Sequence, residues 1–424
     1  MLFKIAWRNL IVHRKKNLAA LLSIIVAFMA LSLFEGYVHD VIRLYDITFS
    51  KKQMLGDILI ERRDPLYPGK ADLNEQSLSL KEQEWIDRTL TPSQVKARAR
   101  FLIVKGTITG EKSRAIVVGL GYDVEEGRVL RAPDYEWNTF AGEPLEQSKA
   151  DYPILFGREL GEVLNCEPAS AEARPSIKCE PSYQLQVSTE KIQVNALDFV
   201  PVGLTTTGFT EIDKHLIMMP LPVAQKLLDT KLVSYVTLLL NDGIDQKKWI
   251  ETFNQKAAAE KRDFKAQSWH DHSFGDLFRQ SIDFLQVFRN LVISIILIVV
   301  SMATINIFVK IVNERIQEIG TMRSIGFQPR HILLLFCSEA AMLAVVGAVG
   351  GTVCSLVMAA IANHFQPMYN AGLLTEGVPF RLDMQAFDFV WITALITGLM
   401  MISTLLPVWK ATKARVADLL ADKG

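Results

Sequence analysis

The sequence predicts a membrane protein with four α-helical transmembrane segments and a large α+β external domain between the first and second of them. Two observations support this class. Long runs without a charged residue occupy 17–34, 290–309, 340–375 and 389–409, and each approaches or exceeds the roughly 20 residues that a helix needs to cross a bilayer. The segment between the first two runs is polar and about 250 residues long, which is enough for one or two folded subdomains.

The distribution of basic residues predicts how the chain is oriented. Of the 424 residues, 50% are hydrophobic and 22% are charged, with a formal net charge of zero. Lysine and arginine concentrate before the first run, between the second and third, and after the fourth, whereas the loop from His364 to Asp388 contains only Arg381. By the positive-inside rule both termini are cytoplasmic. The basic excess is explained by topology, so nucleic-acid binding is not indicated.

The predicted organisation follows from these runs and their flanks. The first run lacks a convincing small-residue cleavage site and continues into an amphipathic stretch, so it is interpreted as a membrane helix rather than a signal peptide. In chain order we expect a cytoplasmic amphipathic basic helix at 1–16, membrane helices at 17–38, 284–312, 329–363 and 386–410, an external domain at 39–283, a cytoplasmic helix at 313–328, an external loop at 364–385 and a cytoplasmic tail at 411–424.

The external segment alternates short β-type runs with helical stretches, which predicts a mixed α+β domain. Its two flanks keep apolar residues at three- and four-residue spacing, from Phe34 to Tyr45 and from Phe274 to Phe288. This spacing predicts that both membrane helices continue outward as a helical stalk. The alternative is that these apolar stripes only pack against the domain.

The stretch NERIQEIGTMRSIGFQPRHI, from Asn313 to Ile332, separates two membrane helices. Its apolar residues Ile316, Ile319 and Met322 recur at helical spacing. Gly326 stands where a helix would stop, and Pro329 suits the first turn of the next one. The stretch is therefore predicted to be a short charged helix on the cytoplasmic side.

The sequence contains few residues that suggest a catalytic or ligand-binding site. The sequence contains no G-x-x-x-x-G-K-[ST] phosphate loop, so ATP binding by such a loop is not expected of this chain. His270 and His272 have no accompanying ligand cluster in the sequence, and a polar turn is favoured over a metal site. Cys166 and Cys179 lie in the external segment, where a disulfide is plausible and two unpaired thiols are the alternative.

Glu339 is an ionisable residue about two helical turns inside the third membrane helix. A charge there is costly and generally has a partner or a role. One interpretation is a polar contact that couples helices, and the other is that the side chain extends toward the nearby cytoplasmic face. The sequence does not separate them.

Several of these motifs resemble the FtsX-like permeases, also known as MacB-type or type VII ABC transporter permeases. The stretch from Asn313 to Ala341 resembles their signature helix followed by a membrane helix with an internal Glu-Ala, and the resemblance places an FtsX-like permease domain at about 290–415. AWRNLIVHRKKN at 6–17 and LPVWKATKARVADLL at 406–420 are similar to the family's entry helix and closing segment. TTTGFTEIDKHLIMMPLPVAQKLL, at 205–228, is especially similar to the lipoprotein-releasing permeases LolC and LolE, and the external domain resembles the periplasmic core of MacB.

The resemblance implies a permease without enzymatic activity of its own, in the bacterial inner membrane. ATP and Mg²⁺ would be bound by a partner, and no cofactor, metal or catalytic residue is expected in this chain. The implied partners are a cytoplasmic ABC ATPase dimer, a second permease copy or paralogue, and membrane lipids; a periplasmic carrier or adaptor is a further candidate. The cytoplasmic helix would be the coupling helix that docks on the ATPase, through Glu314, Arg315, Glu318, Ile319, Gly320, Arg323 and Gly326.

The implied function is mechanotransmission, in which ATP hydrolysis by the partner moves the external domain to release or export a lipoprotein or lipid-like substrate. Two alternatives remain: an FtsX-type regulator of a periplasmic hydrolase, whose external domain is much smaller, and MacB-type efflux of drugs or toxins, although MacB carries its ATPase on the same chain. The segment from Asn165 to Gln184 departs from the family, which usually has a short loop with Gly-Asp there. No contact of that loop can be transferred.

Overall fold

The computed structural model describes residues 14–62, 77–133, 135, 139–170, 175–189, 191, 193–370 and 377–413. Most of the predicted opening helix at 1–16 and of the tail at 411–424 lies outside these residues. The chain divides into two compact units. The membrane unit comprises Met1–Arg43, Ile282–Tyr369 and Pro379–Gly424, and the external unit comprises Leu44–Ser281 and Asn370–Val378.

Four helices of the described chain are long and apolar enough to cross a membrane. With helices numbered in chain order, they are α1 (Arg14–Ile47), α8 (Asp276–Glu314), α10 (Pro329–Phe365) and α11 (Ala386–Lys413). The prediction of four membrane helices is confirmed. A short helix, α9 (Ile316–Ser324), lies between α8 and α10.

Small residues allow α1 and α10 to pack closely. A Cβ on Gly347 would lie 2.5 Å from the side chain of Ile24, and one on Gly351 would lie 2.7 Å from the side chain of Phe28. Close helix contact through glycine is common in membrane bundles, where packing replaces the hydrophobic effect as the driving force. The Ser32 and Ser355 hydroxyls add a hydrogen bond of 2.6 Å between these helices.

The external unit is built on a ten-stranded sheet with strand order β12-β1-β11-β2-β3-β10-β5-β9-β4, in which β8 pairs with β2 and β9. Most neighbours are antiparallel, but β10 with β3 and β5 with β9 are parallel, so the α+β prediction is confirmed. The strands are β1 (Ile58–Arg62), β2 (Val95–Thr109), β3 (Arg114–Tyr122), β4 (Thr139–Gly142), β5 (Pro153–Gly157), β8 (Tyr183–Ser188), β9 (Val194–Thr205), β10 (Leu216–Pro220), β11 (Tyr235–Leu240) and β12 (Phe264–Ser268).

Six short helices accompany this sheet: α2 (Leu80–Thr89), α3 (Val124–Arg131), α4 (Arg158–Val163), α5 (Thr210–Asp213), α6 (Leu221–Leu228) and α7 (Gln246–Ala259). The hydrophobic core contains buried sheet residues such as Leu102, Val104 and Ile217, together with Ala224 of α6 and Phe253 of α7. Two small ribbons complete the strands, β6 (Glu167–Pro168) with β7 (Ile177–Lys178), and β13 (Met368–Asn370) with β14 (Gly377–Pro379).

Asp213 organises the turn between β9 and α5, within the stretch that resembles the lipoprotein-releasing permeases. Its carboxylate accepts hydrogen bonds from the Thr206 hydroxyl at 2.6 Å, and from the Thr207 hydroxyl and backbone N–H at 2.7 and 2.8 Å. Burial raises the pKa of Asp213, although these hydrogen bonds oppose that rise. The turn is therefore a buried structural feature.

The two histidines at 270 and 272 contact different carboxylates within the external unit. His270 Nε2 lies 2.9 Å from an oxygen of Asp46, and His272 Nε2 lies 2.8 Å from an oxygen of Glu61. His272 Nδ1 also accepts the backbone N–H of Phe274 at 3.0 Å. The two imidazoles therefore serve separate polar contacts in this turn.

Cys166 and Cys179 form a disulfide that closes the β6–β7 ribbon. Cys337 is a free buried cysteine in α10. Cys354 is a free cysteine exposed on the surface of α10.

Loss of the Cys166–Cys179 bridge is expected to lower the free energy of unfolding of the external domain by about 3 kcal/mol, because the bridge closes a short loop with a sequence separation of 13. Urea unfolding followed by tryptophan fluorescence would measure the change, comparing wild type with a Cys166→Ala, Cys179→Ala double variant and with reduced wild type. Cys354→Ala is the matched control. Free thiols at both positions in protein isolated without reductant would contradict the prediction.

Candidate functional site

The segment between α8 and α10 is the candidate site. Helix α8 ends at Glu314, and Arg315 leaves helical geometry with φ −109° and ψ 21° before α9 begins. The chain turns again at Gly326, whose φ of +100° lies in the left-handed region that glycine adopts without strain. The break and the turn isolate α9 as a separate short helix.

Two backbone hydrogen bonds close the carboxyl-terminal end of α9. The backbone N–H of Phe327 donates to the carbonyl of Met322 at 3.0 Å, and the N–H of Gly326 donates to that of Arg323 at 3.1 Å. These are the two bonds of a Schellman motif, in which a glycine ends the helix. Gly326 therefore marks the end of α9 in the sequence because this motif needs a residue in the left-handed conformation.

The apolar face of α9 packs inside the chain. Ile319 is fully buried in a cluster with Val312 of α8, Ile332 and Phe336 of α10, and Val408 of α11. Gly320 is buried as well. The apolar residues of this face therefore fill an interface between the chain's own helices.

Arg315 joins three helices through its guanidinium. Its Nε donates to Glu318 of α9 at 2.7 Å, and its Nη1 donates to Glu339 of α10 at 2.8 Å. The guanidinium carbon also lies 5.0 Å from the centre of the Phe336 ring, within the range of a cation–π contact. Only 7% of the Arg315 side chain and 11% of the Glu339 side chain are exposed, so both charges are largely removed from water.

The electrostatics keep Arg315 charged. Burial by itself lowers its pKa, but the Coulombic attraction of Glu339 and the contacts with Glu318 outweigh burial and raise the pKa. Glu339 therefore makes the helix-coupling contact, one of the two interpretations open from the sequence. The sequence did not single out Arg315 as its partner, because the two residues are 24 positions apart.

A second contact connects α9 with the end of α11. Arg323 Nη1 donates to the backbone carbonyl of Thr412. Because the last carbonyls of a helix lack intrahelical partners, a cation there satisfies one of them. Arg323 therefore holds α9 to α11, much as Arg315 holds it to α10.

The opposite side of α9 and its following turn are open to solvent. Gln317 and Glu318 are exposed, with 52% of the Glu318 side chain accessible. Ile325 and Phe327 are 79% and 46% exposed, which is unusual for large apolar side chains beside a glycine turn. Of the seven residues predicted to dock a partner, Glu314, Glu318 and Gly326 lie on exposed surface, and Arg315, Ile319 and Gly320 are buried.

An apolar groove lies in the membrane unit between α1 and α8. It has a volume of about 520 Å³ and is lined almost entirely by apolar side chains, including Leu22 and Val26 of α1, Val299 and Ala303 of α8, and Met400 of α11. Such a surface can accept a hydrocarbon chain or an apolar helix face. It offers few groups for polar recognition.

Removing one member of the Arg315–Glu339 pair is expected to destabilise the membrane unit by about 3 kcal/mol, because the remaining charge stays buried without its partner. Arg315→Met and Glu339→Met should each lower the thermal midpoint in lipid nanodiscs. The double variant should be more stable than either single variant. Glu318→Gln, at a half-exposed position, should cost less than about 1 kcal/mol. Strictly additive losses in the double variant would contradict this account of the pair.

Comparison with known proteins shows similarity to permeases. Residues 290–416 match the family model of the FtsX-like permease C-terminal domain. The lipoprotein-releasing system transmembrane protein LolC of Xylella fastidiosa is 24% identical in two strains. The match covers 85% of this chain and 86% of the relative in strain 9a5c, and 64% and 65% in strain Temecula1.

The macrolide export ATP-binding/permease protein MacB of Neisseria meningitidis serogroup A is 30% identical over 151 residues, which cover 35% of this chain and 22% of that protein. The crystal structure of the periplasmic region of MacB from Actinobacillus actinomycetemcomitans aligns with a TM-score of 0.35 and 9% identity, over 56% of this chain and 97% of that one. In sequence, residues 290–416 are similar to the FtsX-like permease C-terminal domain, and the chain resembles permease proteins of the LolC and MacB type.

Proposed function

We propose that the chain is the permease subunit of an ABC transporter that works by mechanotransmission. A separate cytoplasmic ATPase would bind the exposed side of α9, and ATP hydrolysis there would move α9 and, with it, α8. The observation that carries this proposal is the continuity of α8, which runs without a break for 39 residues from Asp276 to Glu314. At 1.5 Å per residue it is about 58 Å long, which exceeds the roughly 30 Å hydrocarbon core of a bilayer, so a single helix would lead from the coupling segment across the membrane.

The docking surface follows from the division of α9 into a buried and an exposed side. Ile325 and Phe327 would supply apolar contact area, while Glu318 would help to set the orientation of the partner, because charges at an interface contribute specificity more than affinity. The buried contacts of Arg315 and Arg323 would then transmit the movement of α9 to α10 and α11. The proposal places α9 and both termini in the cytoplasm of a bacterium, with the α+β domain in the periplasm.

A second permease copy or paralogue would pack along the exposed face of α8. Large apolar side chains recur there at alternating four- and three-residue steps, the spacing of a helix–helix seam. They are Phe284, Phe288, Leu291, Ile295, Ile298 and Met302, each between 47% and 74% exposed in the single chain. This stripe gives α8 an unpartnered face along most of the bilayer.

Charge reversal at Glu318 and the substitution Ile325→Asp are each expected to reduce co-purification of the ATPase at least about tenfold, because they place a repulsive or desolvated charge in the contact. The measurement is recovery of the ATPase with the tagged permease, together with ATP hydrolysis in lipid nanodiscs. Arg381→Glu is the matched control, an exposed charge reversal on the opposite side of the membrane. If Arg381→Glu abolishes assembly while the α9 variants retain it, the docking surface lies on the other side.

The proposed substrate is a lipoprotein or another lipid-like molecule, released or exported on the periplasmic side. Two findings support it: the apolar groove between α1 and α8, and the LolC relative, which is named as part of a lipoprotein-releasing system. The acyl chains would occupy the groove, because their transfer from water to an apolar site is favourable by about 0.8 kcal/mol per methylene. The polypeptide part would remain outside the membrane.

Filling the groove is expected to reduce lipoprotein release severalfold without loss of ATPase binding. Val299→Trp would project a large ring into the space beside Ala303, whereas Val353→Trp places the same ring on an exposed part of α10 outside the groove. Release of a labelled acylated lipoprotein from proteoliposomes gives the readout. Equal release by both variants would argue against acyl-chain binding in the groove.

Efflux of a small apolar molecule is the alternative function, and the MacB relative favours it because that protein is named as a macrolide exporter. The same apolar groove could accept such a molecule. The two functions separate in the Val299→Trp variant, because efflux predicts increased macrolide sensitivity of cells and unchanged lipoprotein release.

A further inference from the structure

A second cluster of ionisable side chains lies within the membrane unit, near the external ends of α1 and α8 and the start of α11. Glu35 and His39 belong to α1, Arg289 to α8 and Asp388 to α11. One carboxylate oxygen from each of Glu35 and Asp388 and one ring nitrogen of His39 lie within 4.8 Å of one another. The Glu35 side chain is fully buried, and that of Asp388 is 8% exposed.

Local structure explains why these groups converge. Glu35 and His39 are four residues apart on a helix, so their side chains share one face. The segment before α11 is held against α1, because the backbone N–H of Asp383 donates to the carbonyl of Gly36 at 3.0 Å. A Cβ on Gly36 would lie 2.6 Å from the sulfur of Met384, so a glycine there permits this approach. Asp388 then follows in the first turn of α11.

Two of the polar atoms in this cluster are buried without a hydrogen bond. They are Oε2 of Glu35 and Nδ1 of His39, which find no hydrogen-bond partner among the described residues. His39 Nδ1 is 3.3 Å from Asp388 Oδ2 but lacks hydrogen-bond geometry. Buried polar atoms are rarely left unsatisfied in folded proteins, and an ion is one of the partners that resolve such cases.

Each carboxylate is oriented by a donor outside the cluster. Arg289 Nε donates to Oε1 of Glu35 at 2.8 Å, and the indole N–H of Trp391 donates to Oδ1 of Asp388 at 3.3 Å. Metal-binding carboxylates commonly have one oxygen held by a second group in this way. The arrangement leaves Oε2 of Glu35, Oδ2 of Asp388 and Nδ1 of His39 without a hydrogen bond from these donors. The Arg289 guanidinium pairs with Glu35 only, so the carboxylate of Asp388 leaves the cluster negative when His39 is neutral.

We propose that Glu35, His39 and Asp388 bind a Zn²⁺ ion. One imidazole and two carboxylates form a donor set that suits zinc, and three protein ligands leave a fourth position for water. An imidazole nitrogen disfavours Mg²⁺, which prefers an all-oxygen shell. The ion would connect the external part of α1 to the start of α11. The unsatisfied atoms of Glu35 and His39 would become ligands.

The test measures Zn²⁺ itself on the full chain in lipid nanodiscs, purified without a polyhistidine tag and stripped with chelator. Wild type should retain one zinc per chain after gel filtration and compete with a fluorescent zinc chelator. His39→Ala and Glu35→Gln should each weaken binding at least about tenfold. Glu35→Gln keeps an oxygen acceptor for Arg289, so it removes the ligand charge with little change in shape. His364→Ala, an exposed histidine in the last turn of α10, should leave binding unchanged.

The proposal is overturned if wild type binds no stoichiometric zinc, or if His39→Ala and Glu35→Gln bind it as wild type does. X-ray absorption of zinc-loaded wild type supplies a measurement that needs no variant. A single imidazole with oxygen scatterers at about 2.0–2.2 Å is expected. Sulfur scatterers, or two imidazoles, would place the ion elsewhere in the chain. A thermal midpoint raised by Zn²⁺ but not by Mg²⁺ in wild type, and by neither ion in His39→Ala, completes the expected pattern.

Discussion

The contacts of the buried Arg315 guanidinium are the interaction on which the packing of α8, α9 and α10 around the candidate site depends. It stands where α8 stops and α9 starts, and its two carboxylate partners belong to α9 and α10. A buried charge of this kind is tolerated only when its partners are correctly placed. These contacts therefore fix the position of α9. The surrounding cluster of Ile319, Phe336 and Val408 adds apolar contact area but does not fix the orientation of α9. The hydrogen bonds of Arg315 to Glu318 and Glu339 fix the orientation of α9 relative to α10.

Local features of the sequence were sufficient for the four membrane helices and for the short helix α9. The glycine at 326 and the proline at 329 marked the turn between α9 and α10 because each acts through backbone geometry that depends on few neighbours. The order in which the strands pair could not be predicted from such local features. Strand β3 pairs with β10 in parallel although about a hundred residues separate them, and no periodicity within either strand specifies that partner. Strand β12, from Phe264 to Ser268, contains no β-branched residue, so its sequence carries little of the propensity that signals a strand.

The candidate site shows which contacts a sequence pattern cannot predict. Helical spacing correctly identified an apolar face on α9, but a spacing does not say whether that face packs against the same chain or a partner. Burial of Ile319 settles the question for this face, and exposure of Ile325 and Phe327 identifies a different apolar surface just beyond the helix. Glu339 was recognised because an isolated charge in an apolar run needs a partner. Its partner could not be named, since charge complementarity across 24 residues becomes specific only when the helices are packed.

Helix α8 is tied to its neighbours by ion pairs at two levels. Arg289, in the part of α8 nearer the external unit in sequence, reaches Glu35 of α1, and Arg315, immediately after α8, reaches Glu339 of α10. Between these levels α8 is the least buried of the four membrane helices. A rod held by polar contacts at its ends and loosely packed between them can tilt without dismantling an apolar core, because few interdigitated side chains must be displaced. A zinc ion shared by α1 and α11 would stiffen the external anchor without adding any ligand from α8, so α8 would pivot against a fixed pair of helices.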